Sequence, residues 1–143
     1  MRALLDVNVL LALFDEDHVN HAPARQWLVA HADSGWSSCA ITENGFIRIV
    51  SHPSYPNAVS TREAFNLLDA ARQPNTHEFW AADVSALDAL DPSRVHGSKQ
   101  LTDLYLLALA SSHGGRLVTF DHRIPRSAVH GATADHLVMI GAD

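Results

Sequence analysis

The stretch "LLDVNVLLAL", Leu4 to Leu13, carries a single acid inside an apolar run. Met1 to Leu5 reads as a short buried strand that ends at Asp6. Beyond it, "VNVLLALF" has apolar residues at helical recurrence until the acidic "DEDH" stops it. Burying an ionised carboxylate without a partner is expensive. Asp6 therefore lies either at an open end of its strand or beside something positive.

Working outward, the same alternation of short apolar strand and helix recurs. Asn20 is a good N-cap for "HAPARQWLVAHA", with Pro23 in the first turn. "GWSSC" reads as a second strand, and "AITENGFIRIVSH" returns to helical recurrence until Pro53. "PSYPNAVS" is a loop by composition. Ser60 or Thr61 caps "REAFNLLDAARQ", which Pro74 stops. "HEFWAA" is a third strand and "DVSALDAL" a short helix closed by Asp91-Pro92. A polar loop, "SRVHGSKQ", leads to the apolar helix "DLYLLALASSHG", with Thr102 as its cap and Gly114-Gly115 as its end. "RLVTF" is the clearest strand and "HLVMI" the last. Apolar strands separated by helices predict a mostly parallel sheet with helices on both faces. No repeat, linker or low-complexity segment divides the chain, so one domain over residues 1–143 is expected.

Composition narrows the function. Apolar residues make up 47% and charged residues 18%, as in a compact globule. No apolar run is long enough to span a bilayer, and the acids from Asp6 to Asp17 break any signal-peptide pattern. The single Cys39 cannot form an internal disulfide, which fits a reducing compartment, the cytoplasm. A net charge of −6 argues against a broad electrostatic nucleic-acid surface. His18 and His21 fall one helical turn apart, yet nothing completes a zinc set around them, and a solvated face is expected.

Four acids stand where an element begins or ends. Asp6 and Asp121 end strands, Glu43 follows the second strand, and Asp103 opens the long helix. In open α/β sheets, ligands bind outside the carboxyl ends of the strands. Each acid has an ordinary alternative: Asp103 complements a helix dipole, Glu43 is a solvated helix acid, and Asp121 is a turn residue or a partner of Arg123. Together on one rim they would repel, and hard divalent cations would relieve the repulsion. All-oxygen ligation suits Mg²⁺ or Mn²⁺ rather than zinc. Two such ions balance four negative charges and suit in-line attack on a phosphodiester. Asn8 and Thr119 flank the acids as neutral oxygen donors, and Arg94, Lys99, Arg123 and Arg126 flank the rim as a collar for phosphates.

"LLDVNVLLAL", "ITENGFIRI", "LTDLYLLALA" and "LVTFDHR" resemble the four acidic motifs of PIN-domain ribonucleases, specifically the VapC toxins of toxin–antitoxin pairs. The likeness runs from Leu4 to about Arg123. It implies a three-layer α/β/α fold with a five-stranded, mostly parallel sheet, and Mg²⁺- or Mn²⁺-dependent endonucleolytic cleavage of RNA, with transfer RNA the family's commonest target. The family's catalytic and metal-binding acids carry over to Asp6, Glu43, Asp103 and Asp121, with Asn8 and Thr119 in supporting positions. A further acid often follows the last one in the family. Here His122, Arg123 and Ile124 stand instead, which leaves one or two metals open. The resemblance also implies a homodimer, a silencing VapB-type antitoxin, and higher-order assembly with it. "VNVLLALF" and "APARQWLVAHA" are candidate walls of the antitoxin groove, although Leu10, Leu13, Phe14 and Trp27 serve equally well as core.

Rival classes lack their marks. Haloacid-dehalogenase-type phosphatases need a second Asp where this chain has Asn8, and receiver domains need a late-strand lysine where the only lysine is Lys99. There is no G-x-x-x-x-G-K and no G-x-S-x-G. A non-catalytic PIN-like module that binds RNA or protein remains the alternative.

Overall fold

The computed structural model describes residues 1–141; the last two positions of the expected 1–143 domain lie outside the described residues. The elements alternate as the apolar pattern predicts. They are β1 (Ala3–Leu5), α1 (Val7–Phe14), α2 (His21–Ala30), β2 (Trp36–Cys39), α3 (Ala40–Val50), α4 (Thr61–Arg72), β3 (His77–Trp80), α5 (Ala86–Ala89), α6 (Leu101–Ser112), β4 (Arg116–Thr119) and β5 (Leu137–Met139).

The five strands form one sheet in the order β3-β2-β1-β4-β5, and every pairing is parallel. The expectation of a mostly parallel sheet is thus met in full. Strand side chains alternate between two cores. Leu4 and Leu117 face α6, whereas Ala3, Leu5 and Val118 face α1, α3 and their neighbours. This is the three-layer α/β/α arrangement.

α6 is the most deeply set helix. Leu104 and the run from Leu106 to Ala110 are all buried, as expected for a helix apolar all round. It closes on a Schellman turn: the Gly115 N–H donates to Ala110 O at 2.9 Å and the Gly114 N–H to Ser111 O at 3.0 Å, with Gly114 at φ 66°. Gly115 has its own reason to be glycine. A Cβ there would lie 2.5 Å from the Trp80 ring and 2.6 Å from the Arg2 carbonyl oxygen.

Three local expectations are corrected. Asn20 precedes α2 but its side chain makes no capping bond; the Asn20 N–H donates instead to His18 Nδ1 at 3.0 Å, within a local turn. Thr102 does not cap α6. A 3₁₀ turn over Ser98–Gln100 feeds straight into the helix, which begins at Leu101 with Gln100 already in helical geometry. The "SRVHGSKQ" loop also holds a turn over Pro92–Arg94, so it is not irregular throughout. Ser60, by contrast, is the cap of α4 and accepts from the Glu63 N–H at 3.0 Å. Among the described residues, no helix is long and apolar enough to cross a membrane.

Candidate active site

β1 runs out after three residues because Asp6 caps the helix that follows. The Asp6 Oδ1 atom accepts from the Val7 N–H at 2.7 Å. The neighbouring strand β4 is made far later in the chain, and between β1 and β4 the strand order reverses. Such a switch point leaves a crevice at the carboxyl ends of the strands. Thr119, the last residue of β4, is fully buried there. Its hydroxyl donates to Asp6 Oδ2 at 2.9 Å and accepts from the Asp121 N–H at 3.1 Å. One side chain thus ties together the two acids that end the two central strands.

Asp103 joins them from the first turn of α6. The three aspartates feel one another. Burial, then the charges of Asp6 and Asp121, push the Asp103 carboxyl up to about 6. Asp6, only 7% exposed, is raised chiefly by burial. The Thr119 and Val7 hydrogen bonds work against that rise, and the Asp121 charge adds to it.

Glu43 has partners of its own, Arg72 and Ser38. It occupies the first turn of α3 as expected, and these partners engage its carboxylate. Arg72, at the end of α4, reaches Oε1 at 3.2 Å and Oε2 at 3.1 Å. On its other side the Ser38 hydroxyl donates to Oε2 at 2.5 Å. That leaves the Ser38 oxygen to accept from His77 Nε2, 2.8 Å away. Burial, helped by the Arg72 and Arg2 charges, lowers His77 to about 4, so the ring is neutral. Ser38, Arg72 and His77 were missed in the sequence, since their connection appears only when β2, β3 and α4 are brought together. Among the described residues, no group of three or more histidine, cysteine or acidic side chains is drawn close enough to hold a metal as it stands.

The flanking residues divide. Asn8 is exposed on the first turn of α1, near Asp6. Lys99 and Arg123 line one polar cavity of about 400 Å³ with Ser98, Gln100 and Asp121. Arg123 also contacts Asp121 Oδ1, through its backbone N–H at 2.8 Å and its Nε at 3.3 Å, so both ordinary readings of Asp121, turn and ion pair, hold as well. Arg94 is turned aside: it pairs with Asp91 at 3.4 Å, where the Asp91 side chain caps its own local turn. Arg126 is exposed on a 3₁₀ turn and does not line that cavity. Of the four expected collar residues, Lys99 and Arg123 line this cavity and Arg94 and Arg126 do not. His18 and His21 take up local bonds, to the Asn20 N–H and to Ala12 O. On the far side, an apolar cleft of about 270 Å³ opens among Leu10, Leu13, Phe14, Leu28 and Trp36.

An all-oxygen donor set, with one carboxyl raised to about 6 by burial and then by its acidic neighbours, has the chemistry that suits a hard divalent cation. The fold is a three-layer α/β/α domain with three aspartates at the carboxyl edge of its parallel sheet. Comparison with known proteins gives the family: the PIN domain matches residues 3–129, and the chain belongs to that family. It is similar to Ribonuclease VapC44 of Mycobacterium tuberculosis (strain ATCC 25618 / H37Rv), 55% identical over 142 residues, which cover 98% of this chain and 100% of the relative. Ribonuclease VapC38 of the same strain is 45% identical over 83% of this chain and 84% of its own length. Ribonuclease VapC39 is 42% identical over 92% and 96%.

Proposed function

We propose that this chain is a VapC-type toxin, an endoribonuclease that hydrolyses RNA phosphodiester bonds with Mg²⁺ or Mn²⁺. The observation that carries this is the Thr119 bridge, which joins Asp6 to Asp121 at the sheet's switch point with Asp103 beside them. Likeness to three relatives named as ribonucleases, over most of both chains, supports it.

Asp6, Asp103 and Asp121 hold the cation, with Glu43 as the fourth acid. A cation held by these acids would offset their charge and supply the Lewis acidity that water activation and a leaving oxygen need. Thr119 keeps Asp6 oriented, works against the rise that burial imposes on its carboxyl, and fixes the backbone at Asp121. Asn8 orients water or ligand from the first turn of α1. Lys99 and Arg123 receive substrate phosphates at the mouth of the polar cavity. The substrate is a structured RNA, transfer RNA first among the candidates. Residues 1–143 act as a single PIN domain, in the cytoplasm, as a homodimer. A VapB-type antitoxin covers the apolar cleft beside α1 and α2 and assembles with the dimer into a larger complex.

The test is incubation of the antitoxin-free chain with total RNA in Mg²⁺, Mn²⁺ or excess EDTA, with Asp103→Asn as control. Discrete fragments that need metal and vanish in the variant are expected. A folded, metal-binding Asp103→Asn protein that still cuts would refute the assignment. A chain that binds RNA without cutting it would be the non-catalytic module.

A further inference from the structure

Two of the expected acids have a cation beside them within the chain: Asp121 has Arg123, whose side chain is 88% exposed, and Glu43 has Arg72. The Glu43 carboxylate lies against the Arg72 guanidinium at 3.1 and 3.2 Å, whereas the charges that act on Asp103 are those of Asp6 and Asp121. Arg72 is itself held from a second side, with its guanidinium carbon 5.3 Å from the centroid of the Phe79 ring on the edge strand β3. The two partners are unequally exposed. The Arg72 side chain is 39% accessible and that of Glu43 15%. An anion arriving from solvent therefore meets the cation first. A guanidinium offers a planar fork of donors that fits a phosphate as well as a carboxylate. Phe79 is 44% exposed, so the same edge presents an aromatic face next to the cation, and single-stranded RNA favours that pairing of charge and ring.

We propose that Arg72 is an RNA-phosphate contact that doubles as a latch on Glu43: a phosphodiester of the substrate takes the guanidinium, and Glu43 is released as a fourth carboxylate. The inference rests on the endoribonuclease reading above and adds to it a residue and an order of events. Without RNA, Arg72 holds Glu43, whereas Asp121 has only the exposed Arg123 beside it, so Asp6, Asp103 and Asp121 are the acids open to a cation, a charge suited to one divalent ion. With RNA on Arg72, four acids are open, a charge suited to two. The missing acid after Asp121 does not then limit the site to one ion.

The latch can be read without metal or cleavage. Affinity for a short single-stranded RNA oligonucleotide is measured in excess EDTA for the wild-type chain, Glu43→Gln, Arg72→Gln and the double variant. Glu43→Gln frees Arg72 and is expected to tighten binding about threefold to tenfold. In the Arg72→Gln background the same change should do little, since only general charge repulsion is left for it to relieve. Arg72→Gln alone should weaken binding and flatten its salt dependence. An equal effect of Glu43→Gln in both backgrounds, or no RNA binding in any of the four, overturns the proposal. A second readout uses Mn²⁺ titration calorimetry without RNA. Arg72→Gln is expected to bind an additional or tighter equivalent, and the added Glu43→Gln change to abolish that gain. Arg72→Gln that binds Mn²⁺ as the wild type does overturns the coupling. Failure of the endoribonuclease reading shows separately, as cleavage that survives Asp103→Asn.

Discussion

Asp103→Asn is expected to stabilise the metal-free protein while abolishing its activity. The carboxyl is pushed up to about 6 from 3.8 by burial and by the charges of Asp6 and Asp121. An acid with a raised pKa keeps its proton longer in the folded chain than in the unfolded one. Its stabilising protonation is complete below about pH 4, is lost as pH rises through about 6, and does not return above that. At about 1.4 kcal/mol per pH unit, the full cost of ionising Asp103 in the fold is about 3 kcal/mol. Asp103 is only partly buried, so solvent screening leaves about half of this. Losing a negative charge from the first turn of α6 takes back about 0.5 kcal/mol. The net gain is about 1 kcal/mol near pH 7.5, or about 3–4 °C in Tm for a chain of this size. Thermal melts followed by circular dichroism in excess EDTA, from about pH 3.5 to about pH 8, would measure it. The variant and wild-type curves should converge at the acid end, separate as pH rises from about 4 to about 6, and hold a constant gap above that. Added Mn²⁺ should narrow or reverse the gap, because it stabilises the protein that binds it better. Parallel curves over the whole range would refute the reasoning, since they would mean that Asp103 does not titrate differently in the fold.

Thr119→Val keeps the shape of a fully buried side chain and deletes the hydroxyl between Asp6 and Asp121. It should cost about 1–3 kcal/mol in urea unfolding at neutral pH, with a smaller loss in acid once Asp6 is protonated; an equal loss at both would remove the charged hydrogen bond from the explanation. Arg123→Ala should slow RNA cleavage severalfold and lower its salt sensitivity without moving Tm, because the side chain is 88% exposed; unchanged cleavage would take Arg123 out of the phosphate collar. Gly115→Ala should destabilise by about 1–3 kcal/mol through overpacking against Trp80 and the Arg2 carbonyl, visible as a lower Tm with cleavage intact below it.

The sheet and the three-aspartate cluster were legible because they depend on short-range pattern. "ALLD" and "RLVTFD" each put an acid at the end of an apolar strand, and adjacent parallel strands open at one edge. Their spatial neighbourhood needed only the strand order. Glu43 was legible as a position but not as an environment: its partner Arg72 lies 29 residues away on a separate helix. Arg94 too was legible as a position but not as an environment, for the opposite reason. A local turn at Asp91 captured it, a short-range competitor that residue spacing alone does not rank. The failed caps at Asn20 and Thr102 have the same origin, because adjoining turns set the backbone before the capping side chain could act.

The hydrogen bond from Thr119 to Asp6 joins residues 113 positions apart. At about 5–20 residues per second, a ribosome needs on the order of ten seconds to travel that distance. Until it does, β1 has no β4 beside it, the switch point does not exist, and Asp6 has neither Thr119 nor Asp121 as a neighbour. A nascent or prematurely ended chain therefore carries the first acid but no centre. The order of the strands works as a timer: the centre can assemble only after β4 has been made and has taken its place beside β1.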